Sequence, residues 1–123
     1  MVILERQVKE RKNKMDTFEP SYETYKKIIN DIKLTGKYCD YSDAINKDEF
    51  ILMRHDIEFS IERAYSLSLI ESENDFQSTY FVQITNNFYN AFSLKNMILL
   101  KQMIENGHHI GLHYHLNGQT EFL

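Results

Sequence analysis

A chain of 123 residues with 42% hydrophobic and 26% charged side chains and one proline has the composition of a single folded domain, which excludes the low-complexity and disordered classes. A net charge of -4 excludes a general nucleic-acid binder, which needs a basic face, and no run approaches the ~18 apolar residues of a membrane span. Cys39 is the sole cysteine, so there is no disulfide framework; residues 1–14 are charged where a signal peptide is apolar, so the expected location is cytoplasmic.

Residues 1–15 read as a basic leader, flexible or helical, ahead of a domain over 16–123. Ser21 is the N-cap of a predicted helix over 22–34, with Tyr22, Tyr25, Ile28, Ile29 and Ile32 at helical spacing and Gly36 as its stop. Residues 37–47 form a polar connector in which Asp40, Ser42, Asp43 and Asn46 can bond their own backbone, with a short helical turn over 41–45. The apolar run 50–53 predicts a buried parallel strand whose C-terminal end carries Arg54, His55, Asp56 and Glu58. Ser60 caps a helix over 61–73 whose packed face holds Ile61, Ala64, Tyr65 and Ile70. Alternation and β-formers predict a second strand over 77–84. Residues 85–93 make a loop long enough to face a substrate, with Asn87 and Tyr89 as candidate contacts, although its aromatics and asparagines equally serve packing and turns. Ser93 caps a third helix over 94–106, with Met97, Leu100 and Ile104 on one face and Gly107 as stop. Residues 108–115, H-H-I-G-L-H-Y-H, read as a third strand in which Gly111 permits a close backbone approach. Strand, helix, strand, helix, strand is the order of an α/β fold with a parallel sheet.

Loops leaving the C-terminal ends of parallel strands converge on one crevice. Asp56 and Glu58 share one strand face, with His55 and Ile57 on the other. Four of the five histidines fall within eight positions; His109, His113 and His115 share strand parity, His108 takes the opposite face, and only His113 and His115 lie at the C-terminal end. Imidazole and carboxylate with an open position suit zinc, or another divalent first-row ion, in a hydrolytic role. Such an ion lowers the pKa of a water to about 7 and polarises a carbonyl, while a second carboxylate takes the water's proton.

R-H-D-I-E-F-S at 54–60, S-T-Y-F-V at 78–82, N-N-F-Y-N at 86–90 and G-H-H-I-G-L-H at 107–113 resemble the polysaccharide deacetylase superfamily. This is the NodB-homology group, also called carbohydrate esterase family 4, and the likeness is greatest to its divergent bacterial members bearing R-H-D-V-D. The resemblance covers 49–117, and its most specific part is the last motif, similar to the family's G-H-E-I-G-x-H. It implies a metal-dependent deacetylase on a distorted (β/α) barrel that removes acetyl from an N-acetylated sugar or glycan. Carried over, Asp56 is the general base, Glu58 a metal ligand in place of the usual Asp, and His113 the first metal histidine. A different alignment makes Asp56 the ligand and leaves His55 in the base position. The family's second metal histidine falls on Asn117, so His115 is the candidate substitute, and zinc is the implied ion.

The smallest (β/α) barrels need about 200 residues, and the family motifs expected beyond 123 are not in this chain. The resemblance therefore implies the N-terminal half of the barrel: a fragment, a truncated reading frame, or half of a site completed by another chain. As a 123-residue chain the enzyme is expected to be impaired, with an open sheet edge suited to association. The alternative is a truncated, non-catalytic metal-binding or interaction remnant of that fold. Neither reading calls for nucleic acid or a membrane as partner.

Overall fold

In a computed structural model of the protein, the described residues are 21–114; the leader expected over 1–15, His115 and Asn117 lie outside them. The helices start where a short polar side chain can hold a first-turn N–H. Ser21 Oγ accepts from Thr24 N at 3.2 Å at the head of α1 (Tyr22–Leu34), and Asp40 Oδ1 from Asp43 N at 2.8 Å at the head of α2 (Tyr41–Ala44). Ser60 Oγ accepts from Arg63 N at 3.2 Å before α3 (Ile61–Glu73), and Ser93 Oγ from Asn96 N at 3.3 Å before α4 (Leu94–Glu105). Each such cap is worth about 1 kcal/mol. Beyond α1 and α4, Gly36 (φ 70°) and Gly107 (φ 98°) occupy the left-handed region that other residues resist, so both predicted stops stand.

The chain divides into two compact units, Met1–Ile51 and Leu52–Leu123. In the first, α1 buries Tyr25 and Ile29, and Tyr38 and Ile51 form an isolated parallel bridge. The second contains β1 (Arg54–Ile57), α3, β2 (Thr79–Gln83), α4 and β3 (His109–His113). Its three strands are parallel in the order β1-β2-β3, with Asp56 beside Phe81 and Phe81 beside Gly111, and with Gln83 beside His113.

The first strand lies later than its hydrophobicity predicts. The run 50–53 is not the strand: Phe50 is exposed, Ile51, Leu52 and Met53 are half-buried, and the boundary between the two units cuts through it. Ladder pairing with β2 starts at Arg54, just after Thr79 N donates to Met53 O at 3.1 Å. Apolar content reports a tendency to be buried, whereas strand pairing is set by register, and here the register falls on R-H-D-I. Arg54 and Asp56 are exposed while His55 and Ile57 are buried, an alternation of period two.

One sheet face packs against both crossover helices. Ile57, Tyr80 and Val82 join Ile61, Leu100 and Met103 in a single core cluster, and α3 and α4 touch each other. Full burial of a side chain such as Ile61 or Met103 contributes about 1.5–3 kcal/mol. The opposite face carries Arg54, Asp56, Phe81, Gln83, His109, Gly111 and His113. There the Arg54 guanidinium lies 4.1 Å from the centroid of the Phe81 ring. Phe81 in turn crosses Gly111 so closely that a Cβ at that position would sit 2.6 Å from its Cε1.

Candidate metal centre and its supports

Asp56, on the face away from the helices, is where two strands' polar side chains meet. Arg54 Nε donates to Asp56 Oδ1 at 2.9 Å, and His113 Nδ1 stands 3.9 Å from the same oxygen. At 3.9 Å that approach is an electrostatic neighbourhood and not a hydrogen bond. It is also within the span of two zinc bonds of about 2.0–2.2 Å each, so an Asp oxygen and a His nitrogen here fit a shared divalent ion as two of its ligands. Among the described residues no group of three His, Cys, Asp and Glu side chains is gathered closely enough to hold a metal. His115, the other histidine proposed for the site, lies outside them. Glu58 is one residue past β1 and exposed, and its backbone carbonyl accepts from Asn86 Nδ2 at 2.8 Å. His109 shares the face of His113 but sits at the start of β3.

His55, the alternative base, faces away from Asp56 and is buried among the helix-side residues. Its Nε2 lies 3.0 Å from Glu71 Oε2, and the hydroxyls of Ser78 and Tyr80 donate to the same carboxylate. A side chain so placed cannot take a proton from a water beside Asp56. Burial is the largest influence on Glu71 and pushes its carboxyl up. The hydrogen bond and charge of His55, with the Ser78 and Tyr80 hydroxyls, together outweigh burial and leave the carboxyl below its ordinary value. His108, also buried on this side, accepts from Ser78 N at Nδ1 (3.1 Å), which places its ring proton on Nε2, 2.9 Å from both Ser68 O and Ser72 Oγ. Strand and helix are thus joined by polar contacts as well as by the apolar core. Glu71 was concealed in the sequence because its neighbours Ser72, Glu73 and Asn74 read as solvated. Ile61, Ala64, Ser68 and Glu71 nevertheless follow three- and four-residue steps, a stripe that aims Glu71 inward.

At the C-terminal rim the loop after β2 is clasped to both neighbouring strand ends. Tyr89 Oη donates to Ile57 O at 2.6 Å and accepts from Gln83 N at 2.9 Å. Burial pushes the Tyr89 hydroxyl up, donation by Gln83 N pulls it down and the charge of Glu58 pushes it up again; the net direction is upward, which keeps the donor proton in place at neutral pH. Asn86 Nδ2 donates to Glu58 O and to Gln83 Oε1, each at 2.8 Å, while Asn86 Oδ1 accepts from Phe88 N at 2.6 Å and Tyr89 N at 3.1 Å. Asn87, the other proposed substrate contact, is exposed. Asn86 carries the strongest local bonding in the loop, which asparagine content alone does not reveal. No helix among the described residues is long and apolar enough to cross a membrane. Comparison with protein-family profiles, with curated proteins and with solved structures finds no match to this chain.

Proposed function

We propose that the unit Leu52–Leu123 belongs to a metal-dependent carbohydrate N-deacetylase, a hydrolase cleaving the N-acetyl group of a sugar or glycan, built on a (β/α) barrel of which this sheet is the first part. The observation that carries the reading is the approach of Asp56 and His113, 57 positions apart on the motifs that resemble the family, to 3.9 Å on one face. The sequential strand order, with both crossover helices on one face, supports the barrel: a doubly wound sheet reverses its order and covers both faces. The 3.9 Å approach also supports Asp56 as a ligand alongside His113; Glu58 and His115 are the further residues proposed for the site. Asn87 and Tyr89 remain the proposed substrate-side residues of the rim. Zinc bound there supplies Lewis acidity toward the amide carbonyl and acidifies a water. The chain's own contribution is to hold the Asp56 carboxylate through Arg54 and to bring His113 beside it through the register of β2 and β3.

A non-catalytic remnant of the fold is the second reading, favoured by the Arg54 guanidinium already paired with Asp56. Zinc uptake after dialysis, followed by acetate release from N-acetylated oligosaccharides, tests both. On the first reading the protein takes up zinc, His113→Ala weakens uptake at least ~10-fold, and His109→Ala, at the far end of the same strand, leaves it unchanged. Equal uptake by wild type and His113→Ala would end the metal assignment. Acetate release would rule out the remnant.

A further inference from the structure

Phe59 and Phe88 leave two different strands and meet at the rim, their ring centroids 4.9 Å apart and nearly edge to face at 71°. Neither ring is sheltered: Phe59 is 62% exposed and Phe88 68%. An aromatic pair turned out to water costs solvation, and a contiguous exposed apolar feature commonly marks a ligand surface. The pair is held from beneath. Asn86 Nδ2 bonds Glu58 O, the carbonyl of the peptide leading into Phe59, and Asn86 Oδ1 bonds Phe88 N. One side chain therefore fixes the backbone on both sides of the pair, and Tyr89, next to Phe88, fixes the same loop to Ile57 O. Preorganised aromatic rings lose little freedom when something flat settles on them. The exposed Glu58 carboxylate adjoins Phe59 in the chain and offers acceptors to hydroxyl donors.

We propose that Phe59 and Phe88 form a stacking platform for a pyranose ring of a glycan chain, a subsite beside the Asp56–His113 pair that holds a sugar other than the one undergoing reaction. A pyranose fits this chemistry because its C–H face is apolar while its equatorial hydroxyls can reach a carboxylate at the rim. The identity of the occupant rests on the deacetylase reading; the platform itself rests on the clasped aromatic pair.

The test is an NMR titration of the metal-free protein with a β-1,4-linked N-acetylglucosamine pentamer and with the monomer, with zinc uptake measured on the same preparations. The platform requires that the pentamer binds more tightly than the monomer and shifts the Phe59 and Phe88 amides. Phe88→Ala and Phe59→Ala are each expected to weaken pentamer binding about 5- to 10-fold, the loss of one aromatic contact, with zinc uptake retained. Ile104→Ala, an exposed apolar residue on α4, should leave pentamer binding unchanged. Failure of wild type to bind the pentamer, or equal binding by wild type and Phe88→Ala, overturns the platform whatever zinc does. Conversion of a dimer to a monomer by Phe88→Ala without an effect on saccharide binding overturns it in favour of a self-association surface. Pentamer binding lost in Phe88→Ala in a protein that takes up no zinc sustains the platform while removing the metal reading.

Discussion

Asn86 engages its amide nitrogen twice and its carbonyl oxygen twice, so its removal frees three backbone groups and the Gln83 side chain at once. Asn86→Ala is expected to cost about 1–3 kcal/mol in chemical denaturation and to speed hydrogen exchange at Phe88 and Tyr89. Asn86→Asp keeps the acceptor, loses both donations and should slow exchange at those two amides relative to Ala; identical exchange in the two variants would show that the oxygen does not hold the loop. Gly111 is a second residue whose identity is fixed by space. A methyl group there meets Phe81 Cε1 at 2.6 Å and Cδ1 at 2.8 Å, so the ring must move and Arg54, stacked over it, must move too. Gly111→Ala should therefore destabilise by about 1–3 kcal/mol. In Phe81→Ala the added cost of Gly111→Ala should vanish, and a double-mutant cycle with no coupling would rule out this contact as the cause.

α3 is tied to β1 and β2 by one buried carboxylate, and pH is its natural probe. The folded Glu71 carboxyl lies below its ordinary 4.5, so the stability it provides is fully present above about pH 4.5 and is lost as pH falls through the lower folded value. Unfolding free energy is expected to drop more steeply below pH 4.5 in wild type than in Glu71→Gln, which has no charge to lose. Glu71→Leu should cost about 3–5 kcal/mol at neutral pH, because the buried donors of His55, Ser78 and Tyr80 lose their acceptor. A wild-type acid limb parallel to that of Glu71→Gln would show that the carboxylate carries no such linkage. Helix extents were legible in the sequence because caps are local: Ser21, Ser60 and Ser93 each hold an N–H three residues on. The position of β1 was not, since register depends on β2, distant in sequence. The opposed facing of His55 and Asp56 followed from strand parity alone, whereas the acceptor of His55 lies 16 residues away on a helix and needed the tertiary fold. Asp56 and His113 were legible as types of ligand at strand ends; Arg54 beside Asp56 was not, because a charged residue at a strand start reads as solvated.

The parallel sheet has β2 at its centre, so the outer sides of β1 and β3 are unpaired among the described strands. On the helix-facing side Leu112 of β3 is 69% exposed, and Leu94, Met97, Ile98 and Ile104 of α4 are exposed as well. In a singly wound sheet this is the position that a further strand and helix would cover. Open edges together with uncovered apolar side chains favour association. Sedimentation velocity is expected to show larger species as concentration rises, and Leu112→Lys to shift the distribution toward monomer by placing a charge at the edge. A concentration-independent monomer in wild type would show that neither the edge nor the apolar strip is adhesive.

The alternation of exposed and buried side chains along β1 has an evolutionary corollary. Consecutive residues answer to different selection: His55 to the integrity of the fold, Asp56 to whatever the open face binds. Because the backbone of β1 is anchored from the helix side, the residues on the open face can drift, be lost or be recruited to another ligand without the sheet coming apart. A saturation library across 54–57 should thus sort by parity, with positions 55 and 57 depleting under selection for folding and position 56 depleting only under selection for binding.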